Sequence, residues 1–171
     1  SLMPPPVTRA MMEAAASFVN MEELRVRVCD EIARMTRNEA AFVTTGASGG
    51  ILLASAACIA GKNPENRRRL PKTDGMRNEF VVQRCAHTEH EFSIHHAGGV
   101  IVSVGDEQRA TPEELDAAIG DSTAAVFITP RGTGPEGMVS VGETVEIAHS
   151  KSVPVIVDAA AQLPPPENLW Y

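Results

Sequence analysis

From Phe80 onward, four short and almost wholly apolar runs alternate with helix-patterned stretches, and that alternation leaves few folds open. The runs are Phe80–Val82, Val100–Val104, Ala124–Ile128 and Val153–Val157. Between the first two, Glu89–Ala97 reads as a helix stopped by Gly98-Gly99. Thr111-Pro112-Glu113-Glu114 then opens a helix with a cap, a first-turn proline and a capping-box glutamate, and Ser140 with Glu143 caps another. Strands that are apolar throughout are covered on both faces, and strands joined through helices run parallel. The pattern predicts an α/β fold, a mostly parallel sheet with helices on both faces.

The segment before Phe80 is helical in pattern. Residues 7–18 are rich in Ala and Met, and Asn20 with Glu23 caps a helix from about Met21 to Arg37. In that helix Leu24, Val28, Ile32 and Met35 recur at helical spacing and are expected to form one buried stripe. After Thr44-Thr45-Gly46-Ala47-Ser48-Gly49-Gly50, Ile51–Ala60 is apolar all round, which predicts a helix buried on every side and ended by Gly61. Residues 62–78 are polar, hold two prolines, and read as a surface loop carrying Arg67-Arg68-Arg69. The expected organisation is a helical segment over 1–38 and a main domain over 39–171.

Composition narrows function. The formal net charge is -7, which argues against a nucleic-acid surface, because phosphate backbones need clustered Lys and Arg. Aromatic residues are only 4% of the chain, so alanine and aliphatic side chains must fill the core. Cys29, Cys58 and Cys85 are widely spaced, which speaks against a disulfide framework and for a cytoplasmic home. No apolar run reaches the roughly 20 residues of a membrane span.

In open α/β sheets, ligands bind beyond the C-terminal ends of the strands. Three segments fall there. Gly46–Gly50 opens a helix with small residues and a hydroxyl, which makes either a phosphate cup or a helix start that needs close packing. Asp158 ends the Val153–Val157 run. A carboxylate there needs a partner, either a protonated ring nitrogen of a flat cofactor or the next turn, which it would cap. The alanines after it leave room for a ring. Cys85-Ala86-His87-Thr88-Glu89-His90 offers a histidine that could stack on a ring or move a proton, or that is a plain surface residue. With His95 and His96 nearby, zinc is a further reading, although the spacing fits no standard ligand set.

Gly132-Thr133-Gly134-Pro135-Glu136-Gly137 matches the GxGxxG dinucleotide fingerprint. The helix expected after it begins only at Ser140, two prolines interrupt the turn, and the strand before it comes late in the chain. These features weigh against a nicotinamide site.

Taken in order, Gly46-Ala47-Ser48, a histidine after the next strand, and Val155-Ile156-Val157-Asp158-Ala159-Ala160 resemble the large domain of fold-type-I pyridoxal-phosphate enzymes, the aspartate aminotransferase-like transferases. Within them, the stretches Ser1–Pro5, Thr45–Gly61, Gly75–Glu79, Gln83-Arg84 and Pro154–Pro165 are similar to the selenocysteine synthase and glucosaminate-6-phosphate ammonia-lyase group. The resemblance implies pyridoxal 5'-phosphate as cofactor. Ala47, Ser48 and Gly49 would hold its phosphate, Asp158 its ring nitrogen, Ala160 one ring face, and His87 the other. In that group the histidine of this stretch falls one position earlier, at Ala86 here.

The resemblance also implies a small amino acid or amino-sugar acid as substrate, α-proton loss followed by β-elimination or replacement, and a homo-oligomer. A tRNA partner fits the charge poorly. Such enzymes use a Schiff-base lysine well past the aspartate motif. Lys62, Lys72 and Lys151 do not occupy such a place, so the chain reads as an incomplete domain, inactive alone. The alternatives are a non-catalytic remnant that binds a partner, and a nicotinamide-binding domain.

Overall fold

The computed structural model describes residues 2–130 and 137–162, which form two compact units divided between Val43 and Thr44. In the first unit, α1 (Pro5–Ala15) starts on a proline, and α2 (Met21–Thr36) is capped by the Asn20 side chain, which accepts from the N–H groups of Glu22 and Glu23. Glu22 and Glu23 in the first turn and Arg34 in the last suit the helix dipole. The expected buried stripe does not form there. Leu24, Val28 and Met35 are exposed, and the buried residues of α2 are Cys29 and Ala33. Periodicity names an apolar face but not what covers it.

The second unit is a four-stranded, wholly parallel sheet in the order β2-β1-β3-β4, made of β1 (Glu79–Gln83), β2 (Val100–Val104), β3 (Thr123–Ile128) and β4 (Val155–Val157). One face packs Phe80, Val82, Ala125 and Phe127 against Ile51 and Ile59 of α3 (Ala47–Ala60) and Ile94 of α5 (Phe92–His96). The other packs Val81, Val104 and Val126 against Leu115 of α6 (Pro112–Ala118) and Ala148 of α7 (Val141–Ser150). Successive strand residues alternate between these two cores, as the period of a strand requires. Burying a side chain such as Phe80 or Leu115 contributes about 1.5–3 kcal/mol.

Two expectations need correcting. Residues 62–78 are not all loop, because Asn63 accepts from Glu65 N–H and starts the short helix α4 (Pro64–Arg69). The three arginines are its last turn, stabilised by the dipole's negative end. And α3, although apolar all round, buries one side only: Leu53 and Ala57 are exposed. The Glu89–Ala97 segment is a 3-10 turn (Glu89–Glu91) followed by α5.

Strand order positions the site. The chain steps from β1 outward to β2, then returns past β1 to β3 on its other side. The order therefore reverses between β1 and β3, and the crevice beyond their C-terminal ends is where such sheets take ligands.

Candidate cofactor site at the C-terminal edge of the sheet

The carboxyl ends of the four strands lead into His87, Gly105-Asp106, Thr129 and Asp158. Asp158 is 8% exposed. Its N–H donates to the Ile128 carbonyl at 2.9 Å, which extends the β3–β4 ladder by one rung. One carboxylate oxygen, Oδ1, accepts from Ala160 N–H at 3.2 Å. So the expected cap of the next turn exists, but it occupies one oxygen, and Oδ2 takes no hydrogen bond among the described residues.

Beside it, Thr129 follows Ile128, and its buried Oγ1 has no hydrogen-bond partner among the described residues. Ile128 pairs with Val157, so Thr129 and Asp158 are neighbours at the ends of adjacent strands. They lie two residues beyond Phe127 and Ile156, whose side chains face the α3 core. A buried hydroxyl without a partner costs about 1–3 kcal/mol. A buried carboxylate with an open oxygen adjoins it, and together they are ready to receive a polar ligand atom. Thr129 was not singled out from sequence, although Thr129-Pro130 ends its apolar run just as Asp158 ends the next.

The first turn of α3 carries Ala47, Ser48 and Gly49. Gly46 before it has φ 125° and ψ 177°, a backbone only glycine adopts without strain. Ala47 is exposed, Ser48 and Gly49 half-buried, and the Ser48 hydroxyl has no hydrogen bond among the described residues. A Cβ on Gly49 would crowd the Thr45 hydroxyl at 3.1 Å. The other end of α3 runs through α4 into Leu70-Pro71, and the Pro71 carbonyl abuts Gly98 at the start of β2. The free N–H groups of the α3 first turn therefore point to the ligand edge.

His87 is half-exposed and engaged. Its Nδ1 lies 2.6 Å from Glu91 Oε2 and its Nε2 2.9 Å from Ser103 Oγ of β2. That turns the ring toward β2, the edge strand farthest from β4, and no hydrogen bond joins it to Asp158. Ala86 is 3% exposed, and Ala160 begins a 3-10 turn (Ala160–Gln162). No group of three or more potential ligands able to hold a metal is found among the described residues.

The edge is braced by two buried glutamines. Gln83 donates to the Val139 carbonyl at 3.1 Å and accepts from Val139 N–H at 2.7 Å, while Gln162 donates to the Pro130 carbonyl at 2.7 Å. Most of the GxGxxG stretch lies outside the described residues. Its last glycine, Gly137, has φ 92°, packs against Arg109, and precedes α7, whose cap is Ser140. That is not the helix-embedded third glycine of a dinucleotide fingerprint.

The lysines sit elsewhere. Lys151 closes α7 at the opposite edge, paired with Asp116 Oδ1 at 3.0 Å. Lys62 follows the far end of α3, and Lys72 is exposed beside Pro71. Burial raises the thiol pKa of Cys58 and of Cys85, and the negative charge of Asp106 raises the latter further.

The parallel sheet and the helices packed on it have the fold of aspartate aminotransferase-like pyridoxal-phosphate enzymes, to whose solved structures the chain is similar. The chain is a homologue of D-glucosaminate-6-phosphate ammonia lyase of Salmonella typhimurium, 33% identical over 167 residues, covering 95% of this chain and 45% of that protein. It is also 35% identical over 167 residues to 5'-C-glycyluridine monooxygenase-decarboxylase of a Streptomyces species, covering 91% of this chain and 41% of that one.

The solved structure of D-glucosaminate-6-phosphate ammonia-lyase superposes with TM-score 0.86 at 32% identity, over 93% of this chain and 44% of its own. Escherichia coli GDP-4-keto-6-deoxy-D-mannose-3-dehydratase with bound hydrated PLP matches at TM-score 0.61 and 18% identity, over 92% of this chain and 39% of that one, and shows the fold alone. Thermotoga maritima aspartate aminotransferase does the same at TM-score 0.59 and 19% identity, over 93% and 43%. No family model matches the chain. The chain spans under half the length of the curated relatives it matches. No helix of the described residues is long and apolar enough to cross a membrane.

Proposed function

We propose that the carboxyl edge of the second unit is a pyridoxal 5'-phosphate site, and that the chain belongs to a lyase or transferase acting on an amino acid or amino-sugar acid. The observation that carries this is the Asp158–Thr129 pair: a buried carboxylate with one oxygen open, beside a buried hydroxyl with no partner among the described residues. The residues fit the group. Asp158 would hold a proton on the ring nitrogen, and Ala160 leaves room at one ring face. The N–H groups of the α3 first turn and the Ser48 hydroxyl would take the phosphate, between Ala47 and Gly49. His87 borders the other side of the crevice.

The bound group supplies an electron sink for loss of the α-proton, with β-elimination or replacement following. The protein's part would be to orient and to exclude water: Asp158 would keep the ring nitrogen protonated, and the buried Thr129 hydroxyl would offer a polar contact at the strand ends. Both curated relatives are enzymes of small molecules, in keeping with the acidic charge here rather than with tRNA. With no lysine at this edge, the 171-residue chain is expected to be inactive alone. Turnover of an amino-acid substrate by the purified chain with pyridoxal 5'-phosphate would refute that.

Self-association is part of this reading. Met21, Leu24, Val28 and Met35 leave an apolar stripe of α2 exposed in the first unit. Three free cysteines suit a reducing cytoplasm. Calorimetric titration with pyridoxamine 5'-phosphate, whose amine cannot condense with surface lysines, tests the site. Saturable binding that D158N weakens about 10-fold or more is expected from loss of a charge-assisted hydrogen bond. Equal binding by both proteins would refute it.

A further inference from the structure

Glu91 stands out as a buried carboxylate, 7% exposed, that belongs to none of the groups assigned above. Both of its oxygens are committed. Oε1 accepts from Thr88 N–H at 2.9 Å, and Oε2 lies 2.6 Å from His87 Nδ1. An ionised carboxylate only accepts hydrogen bonds, so Nδ1 must be the donor. On the far side of the ring, Nε2 is 2.9 Å from Ser103 Oγ, a hydroxyl that can turn to donate or accept.

We infer that Glu91 is a positioning residue that holds His87 as its Nδ1–H tautomer and so makes Nε2 a proton acceptor at the ligand edge. Ser103 Oγ–H fills that acceptor in the free chain. The second partner of a histidine decides which nitrogen keeps the proton, and here that partner is fixed twice, by burial and by the Thr88 N–H. The His87 side chain is 36% exposed, so the ring can be reached from solvent. Its role toward a substrate rests on the cofactor-site reading above; the tautomer itself does not. His87 is thereby a proton-handling group turned toward β2, rather than a flat ring offered to a cofactor face.

Nitrogen-15 ring correlations of the labelled chain, recorded without cofactor at alkaline pH, test this. The other described histidines (His90, His95, His96 and His149) provide internal references. The wild-type chain is expected to show His87 protonated at Nδ1 and bare at Nε2, and S103A to keep that state. In E91Q the Thr88 N–H retains the glutamine oxygen, so the amide NH2 faces Nδ1 and the proton moves to Nε2. A wild-type His87 protonated at Nε2, or an E91Q spectrum that keeps Nδ1–H, would overturn the inference. If E91Q fails to fold, the wild-type and S103A spectra still decide it. Because no cofactor is present, this result and the pyridoxamine 5'-phosphate titration stand or fall separately.

Discussion

Thr129 and Asp158 leave β3 and β4 side by side: Ile128 pairs with Val157 on the last rung, and Asp158 N–H still donates to the Ile128 carbonyl at 2.9 Å. Among the described residues, Thr129 brings a buried hydroxyl with no partner, and Asp158 a carboxylate with one oxygen open. That arrangement costs stability in the free chain. It gains meaning when a ligand completes it.

Thr129→Val separates the two effects. It keeps the shape and removes the orphan hydroxyl, so the free chain is expected to gain about 1 kcal/mol in urea unfolding. The same variant should bind pyridoxamine 5'-phosphate less tightly than wild type. Loss of stability instead would mean that the hydroxyl already has a partner in the free protein.

Gly46→Ala tests the α3 start. At φ 125° a Cβ is strained whatever space surrounds it. The expected result is a loss of about 1–3 kcal/mol, with weaker phosphate binding because the first turn shifts. Serine-to-alanine at position 48 should leave stability unchanged and weaken phosphate binding alone, as a calorimetric comparison with inorganic phosphate would show.

Gln83→Ala removes both arms of the clamp on Val139. It strands the buried Val139 N–H and carbonyl, so unfolding should be easier by about 2 kcal/mol or more. Wild-type stability in this variant would show that the clamp is not formed in solution.

Asp106 supplies a pH signature. Backbone N–H bonds from Gln108 and Arg109 hold its carboxyl below the usual range. A folded pKa below the unfolded one stabilises above the unfolded value, and the benefit is lost as pH falls through the folded value. Asp106→Asn should therefore flatten the acid limb by lowering stability at neutral pH, where the ionised carboxylate contributes, and change little in acid. An unchanged acid limb would count against the turn.

Much of the second unit was legible in the sequence because its signals are local. Apolar runs marked β1 to β4 within a residue or two at most ends, and Thr111 and Ser140 marked their helix starts, as Asn20 did in the first unit. The glycine-rich start of α3 and the strand-end position of Asp158 were legible because each adjoins an apolar segment. What was not legible depends on partners distant in sequence. The Gln83 clamp spans 56 residues, Ser103 meets His87 across 16, and neither has a local pattern. The exposed sides of α2 and α3 were misread for a related reason: an apolar face shows that something should cover it, while nothing in the periodicity says that this unit does.

The most direct test of the cofactor site is amide chemical-shift mapping of the 171-residue chain during titration with pyridoxamine 5'-phosphate. The largest shifts should fall at Ser48, Gly49, Thr129 and Asp158, from the two sides of one crevice. Saturation with shifts confined to other residues, or no saturable shifts at these four, would contradict the account.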